Sequence, residues 1–255
     1  MRLRDKVAVI TGAGSGYGEG MAYRFVAEGA AVVAADIAGE RAERVAAAIE
    51  GQGGGGGRVA ACQADVSVSA DVKRMVDLAV ERFGRLDVVV NNAGITHRNQ
   101  PMLDVDEATY DRVYAVNVKS IYLSAVHAVP VFRRQGTGGA FVNVASTAGL
   151  RPRPGLTWYN GSKGAAIVVS KSMAVELAPD KIRVNAICPV IGETGLTAEF
   201  MGGDSPELRA RFAATIPLGR FSRPADIANA AVFLAEDASE FITGVALEVD
   251  GGRCV

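Results

Sequence analysis

The chain has 255 residues, 49% of them hydrophobic and 22% charged, with a formal net charge of −1. At roughly 100–200 residues per domain this is one large α/β domain or two small ones, apolar enough for a sizeable core and against disorder. Charges of both signs are interspersed, which argues against a dedicated nucleic-acid or membrane-surface protein.

In chain order, residues 6–11 (KVAVIT) read as a strand, 19–28 as a helix, 31–36 (AVVAAD) as a strand and 39–50 as a helix. The run 51–57 (GQGGGGG) is low in complexity and reads as a surface loop. Strand 58–62, helix 72–83 and strand 86–91 follow, then a long helix over 106–132 interrupted or ended near Pro130. Strand 140–146, helix 162–177, strand 182–187, helix 225–234 and strand 245–249 complete the pattern. Residues 192–215 have weak periodicity and read as irregular, part of a lid over about 190–215. Continuous apolar strands alternating with helices predict a parallel sheet covered on both faces: a doubly wound, Rossmann-type three-layer α/β/α sandwich. No composition break divides the chain.

Cys62, Cys188 and Cys254 are far apart and lack CxxC spacing, and His97 and His127 are the only histidines. This speaks against a disulfide framework, and no metal site is expected. The apolar run near the N-terminus is too short for a signal peptide, and no apolar run approaches the ~18 residues of a membrane span. A cytoplasmic protein is expected, with neither nucleic acid nor membrane as partner.

The turn Thr11-Gly12-Ala13-Gly14-Ser15-Gly16-Tyr17-Gly18 follows the first strand and opens the first helix. In an open α/β sheet this is where a pyrophosphate meets backbone N–H groups and the helix dipole, and glycine permits close approach. The bland alternative is a tight turn needing left-handed residues. Asp36 ends the second strand, about 20 residues on, where a carboxylate bonds the adenosine ribose hydroxyls. It would repel a 2′-phosphate, and no arginine or lysine stands at positions 13–15 or 37 to offset it, which favours NAD over NADP. An ordinary strand-end or N-cap aspartate is the alternative.

Tyr159 and Lys163 lie four apart at the start of a predicted helix, on one face. A free phenol has a pKa of about 10; a nearby ammonium favours the phenolate and brings it toward use as a base. Ser146, at the end of a strand, is placed to bond a substrate carbonyl. Residues 95–101, 148–158 and 192–215 are expected over the reacting end. His97, Arg98, Arg151, Arg153 and Trp158 there suit a polyhydroxylated or anionic small-molecule substrate, with solvated loop or interface arginines as the alternative.

Thr11-Gly12…Gly16…Gly18, Asp65, Asn91-Asn92-Ala93-Gly94, Asn117, Ser146, Tyr159…Lys163 and Pro189…Thr194 together resemble the short-chain dehydrogenase/reductase family over essentially the whole chain. The resemblance implies a single NAD(P)-binding domain over 1–255, often a homotetramer. It implies that Tyr159 is the general acid/base, that Lys163 lowers its pKa and bonds the nicotinamide ribose, and that Ser146 polarises the carbonyl. Asn117 would hold a water of a proton relay through helix backbone. Gly12, Ser15, Gly16, Tyr17 and Gly18 would surround the phosphates, Asp36, Ile37, Asp65 and Val66 the adenosine. Asn92, Ala93 and Gly94 would line the cofactor's centre, with Pro189, Gly192 and Thr194 near the carboxamide. The expected activity is NAD-dependent oxidation of a secondary alcohol of sugar, polyol or hydroxy-acid type. The alternatives are an NADPH-dependent 3-oxoacyl-thioester reductase and a dinucleotide-sensing regulator. Two departures stand out: Tyr17 where the family has isoleucine or leucine, and Gly192 where a larger apolar residue is usual.

Overall fold

A computed structural model describes residues 1–51, 56–195 and 197–255. The loop expected over 51–57 lies mostly outside the described residues, as does position 196 of the expected lid. Seven parallel strands run in the order β3-β2-β1-β4-β5-β6-β7: β1 Val7–Thr11, β2 Ala31–Asp36, β3 Val59–Gln63, β4 Val88–Asn91, β5 Gly139–Val144, β6 Ile182–Pro189 and β7 Ala246–Val249. This is the expected doubly wound sheet. The order reverses between β1 and β4, and a crevice opens there beyond the carboxyl ends of the strands.

The strands are mostly apolar because both faces of the sheet are covered. Ala8 and Ile10 of β1 join Val88 and Val90 of β4 in one core, with Phe25 of α1 (Gly16–Ala27) and Ala231 of α9 (Pro224–Ala235). Val7 and Val9 face the other core with Val89, Phe141 and Met75 of α3 (Ser69–Phe83). The period-two alternation of a strand thus serves both layers.

Several boundaries differ from the sequence reading. Helix α1 starts at Gly16 rather than residue 19, because glycine and small residues at an N-terminus carry no apolar period to read. The long helix is continuous from Glu107 through Pro130 to Gln135. Its irregularity falls at a π turn, Ala115–Lys119, between α4 (Glu107–Tyr114) and α5 (Ser120–Gln135), and not at the proline. Residues Glu107–Gln135 have the length and mean hydropathy (1.2) of a membrane span, but half of that window is buried inside the chain, as in a core helix. Strand β5 ends at Val144, two residues before Ser146, and α6 (Thr157–Leu177) starts five residues before 162. The stretch read as irregular carries two short helices, α7 (Thr197–Met201) and α8 (Pro206–Ala213); five- and eight-residue helices are too short for a period to emerge.

Candidate active site

The carboxyl ends of the strands open on one cavity of about 680 Å³. Its wall includes Gly12, Ser15, Gly16 and Tyr17 from the glycine turn, Asp36 and Ile37 after β2, and Asp65 and Val66 after β3. Asn92, Ala93 and Gly94 after β4, and Pro189, Gly192 and Thr194 at and after β6, lie on the same wall. Ser146, Tyr159 and Lys163 form part of it too.

The glycine turn is shaped for an anion rather than for a side chain. Gly12 and Gly16 sit at φ +64° and +56°, and a Cβ on Gly12 would stand 3.0 Å from the Ala93 Cα. Ser15 caps α1 without a side-chain hydrogen bond, so the first turn of the helix faces the cavity with backbone donors. Gly18 is off the wall: a Cβ there would lie 2.0 Å from the Gly12 carbonyl oxygen, so its role is close packing of helix on turn. The Thr11 hydroxyl accepts from the amides of Asn92 and Ala93 at 3.0 Å each, which binds the end of β4 to the turn.

Asp36 is buried, and its two oxygens accept from the amides of Gly14 (2.9 Å) and Ala38 (3.0 Å). The carboxylate therefore shapes the turn as well as facing the cavity. Arg41, on the first turn of α2 (Gly39–Gly51), also lines this end. A cation at that position lies outside the motif, so the spacing of the glycine turn carries no signal for it.

At the other end Ser146 caps a short turn, its Oγ accepting from the Ala148 amide at 3.0 Å. That bond uses a lone pair and leaves the hydroxyl proton to donate. Tyr159 and Lys163 sit on the first two turns of α6, both at most 6% exposed. The Lys163 ammonium donates to the Val144 carbonyl (2.8 Å) and lies 5.9 Å from the Tyr159 ring centroid. Burial pulls Lys163 down from 10.5 to about 8. Burial also pushes the Tyr159 phenol up, against an opposing hydrogen bond from Ser146. Desolvation disfavours the phenolate, a neighbouring ammonium acts in the opposite sense, and here that ammonium is bound to the Val144 carbonyl.

Asn117 is buried behind the wall, in the π turn. Its side chain accepts from the Ile95 amide and donates to the Ile95 carbonyl, both at 2.9 Å, and donates to the Ser162 hydroxyl at 2.9 Å. Ser162 in turn donates to the Tyr159 carbonyl at 2.7 Å. Asn117 thus links the segment after β4 to the helix bearing Tyr159. π turns recur at functional sites for this kind of re-aiming.

Of the six residues expected around the substrate, Ser146 and Arg153 line the cavity. His97 is buried with Nδ1 against the Arg98 carbonyl, and the Arg98 side chain is exposed to solvent. Arg151 donates to the carbonyls of Arg253 and Val255. Trp158 donates to the Met102 carbonyl and stacks edge-on against Tyr110. The sequence reading missed Phe200 and Phe212, which do line the cavity, because their helices had no legible face. Cys188 is fully buried and its thiol is pushed up to about 12 by desolvation, which leaves no thiolate for nucleophilic work near neutrality.

Tyr17 and Gly192, the two departures noted above, meet. The Tyr17 hydroxyl bonds the Ser222 hydroxyl (2.6 Å) and donates to the Val190 carbonyl (3.2 Å). A Cβ on Gly192 would lie 1.8 Å from that hydroxyl. The tyrosine occupies the space that a larger residue at 192 needs, and the pair pins the base of the segment after β6. Gly192→Ala is expected to cost about 1–3 kcal/mol in urea unfolding, as overpacking does. Tyr17→Leu should relieve most of that cost in the double variant; simple additivity of the two changes would show that the residues are not coupled.

Fold and site together define a dinucleotide-binding oxidoreductase. A family model described as Enoyl-(Acyl carrier protein) reductase matches residues 12–253. The chain belongs to the short-chain dehydrogenase/reductase family. It is 52% identical to the 4-formylbenzenesulfonate dehydrogenase of Comamonas testosteroni, covering 99% of each chain. It is 39% identical to a 3-oxoacyl-[acyl-carrier-protein] reductase of Thermotoga maritima over the full length of both. The crystal structure of a 3-ketoacyl-(acyl-carrier-protein) reductase from Brucella melitensis complexed with NADH superimposes with a TM-score of 0.92, at 46% identity and covering 99% of this chain and 100% of that one. The protein is thus an enzyme acting on CH–OH groups or the corresponding carbonyls with a nicotinamide dinucleotide.

Proposed function

We propose that the protein is an NAD-dependent dehydrogenase that reversibly oxidises an alcohol to its carbonyl compound, with Tyr159 as general acid/base. The observation that carries this reading is one cavity with the Asp36 carboxylate on the wall at one end and Ser146, Tyr159 and Lys163 at the other. The glycine cradle fits a pyrophosphate, and a nicotinamide dinucleotide held there would supply the hydride acceptor or donor. In oxidation Tyr159 takes the hydroxyl proton as the carbonyl forms; in reduction it returns that proton to the oxygen. Ser146 donates to the same oxygen as charge develops. Lys163, held by the Val144 carbonyl, keeps positive charge beside the phenol, which favours proton loss once a ligand displaces its surroundings. Asn117 positions the helix that carries both.

Asp36 supports NAD over NADP because its carboxylate would oppose a 2′-phosphate. A titration following reduced-nicotinamide fluorescence is expected to give NADH at least tenfold tighter binding than NADPH, and Asp36→Ser should narrow that gap by tenfold or more. The second reading, an NADPH-dependent 3-oxoacyl-thioester reductase, is favoured by Arg41 on the same wall, a cation within the adenosine end. Tighter NADPH binding by the native enzyme would put that reading first. A homotetramer is supported by exposed Val168 and Val175 on one face of α6 and by fully exposed Phe241.

A further inference from the structure

Beyond Tyr159 the cavity continues into a second one. Arg153, Phe200 and Phe212 line both, and Arg253 lines the second. The Phe200 ring meets Tyr159 edge-on, 5.1 Å between centroids. The Arg153 guanidinium lies 5.0 Å over the Phe212 ring. From the phenol to the arginine, then, the wall passes over two aromatic rings.

Arg151 is occupied by the tail: its donation to the Arg253 carbonyl (2.9 Å) brings residue 253 to this cavity. Arg153 donates to the Thr215 hydroxyl at 3.3 Å, and its carbonyl accepts from Asn160. The Arg253 Nε is buried with no partner. Among the described residues, no carboxylate side chain pairs with Arg153 or Arg253, although eleven ion pairs occur elsewhere. Burial and the nearby charges of Arg253 and Arg151 all push Arg153 down from its ordinary value. Two half-buried guanidiniums facing one space, without an acid between them, are unfavourable until an anion joins them. Each also offers the planar fork that matches carboxylate and sulfonate oxygens.

We propose that Arg153 and Arg253 are the anion-binding end of the substrate site, and that the substrate carries a carboxylate or sulfonate across a flat apolar spacer from the reacting carbon. This rests on the alcohol–carbonyl reading above for the reacting end alone. Phe200 and Phe212 hold the spacer, and Tyr159 meets the oxygen.

The test is calorimetric titration with benzenesulfonate, benzoate and uncharged methyl phenyl sulfone, on the free enzyme and on its NADH complex. Both anions are expected to bind at least tenfold more tightly than the sulfone and to weaken as salt rises. The tighter of the two identifies the head group. Arg153→Ala and Arg253→Ala should each weaken the anions about tenfold and leave the sulfone unaffected, with Arg153→Lys intermediate. NADH affinity and thermal melting report whether the variants fold. Equal binding of anions and sulfone, or anion affinity indifferent to both substitutions, would overturn the proposal. So would an Arg253→Ala variant whose mass by light scattering falls while its anion affinity stays, since Arg253 would then be an interface cation. The readout needs no turnover, so a failure of NADH binding or of alcohol oxidation overturns the dehydrogenase reading and leaves the anion result standing.

Discussion

Replacing Tyr159 by phenylalanine is expected to lower kcat for alcohol oxidation by about 10²–10⁴-fold, the range that a positioned acid/base contributes. The change removes one hydroxyl and keeps the ring, whose edge-on contact with Phe200 survives. The melting temperature should therefore move little, and NADH should still bind, because the glycine cradle and Asp36 lie at the other end of the cavity. Steady-state kinetics beside a fluorescence titration would separate the two effects. If turnover persisted within tenfold of the native enzyme, the proton would have to travel through another group, and the assignment of Tyr159 would fail.

Lys163→Met should separate stability from activity. The ammonium is 5% exposed and is pulled from 10.5 down to about 8 by burial. Below pH 8 both folded and unfolded chains carry the proton, and the fold bears the whole desolvation cost. Between pH 8 and 10.5 the unfolded chain binds more protons than the folded one, so stability rises with pH until the cost is gone. A displacement of that size corresponds to about 3 kcal/mol at pH 7. Losing the hydrogen bond to the Val144 carbonyl takes back about 1 kcal/mol. Methionine fills similar space without charge, so the variant should be about 2 kcal/mol more stable at pH 7, and the gain should vanish near pH 10. Turnover should fall at least a hundredfold. Urea unfolding at pH 7 and pH 10 checks the first claim: a variant destabilised at pH 7 would mean that the buried ammonium is better satisfied than its single carbonyl partner suggests.

Desolvation explains both cases. Burial disfavours charge on both side chains, opposing phenolate formation at Tyr159 and retention of the proton at Lys163.

What the sequence determined by itself is what repeats locally or sits at fixed spacing. The largely apolar strands alternating with helices point to a parallel sheet, since burial on both faces accounts for runs such as AVVAAD. The glycine turn, Asp36 and the four-residue step from Tyr159 to Lys163 were legible because backbone geometry converts those spacings directly into neighbourhood. Segments without a period were not legible. Phe200 and Phe212 belong to short helices after β6 whose orientation depends on what they pack against, and His97, Arg151 and Trp158, expected near the substrate, turn toward other partners for the same reason. Arg253 reaches the cavity wall through contacts of the tail that include Arg151, about a hundred residues away along the chain. The direction of the Tyr159 shift was also a tertiary matter: proximity to a lysine is written in the sequence, but how much water remains around the pair is decided by the packing that surrounds it.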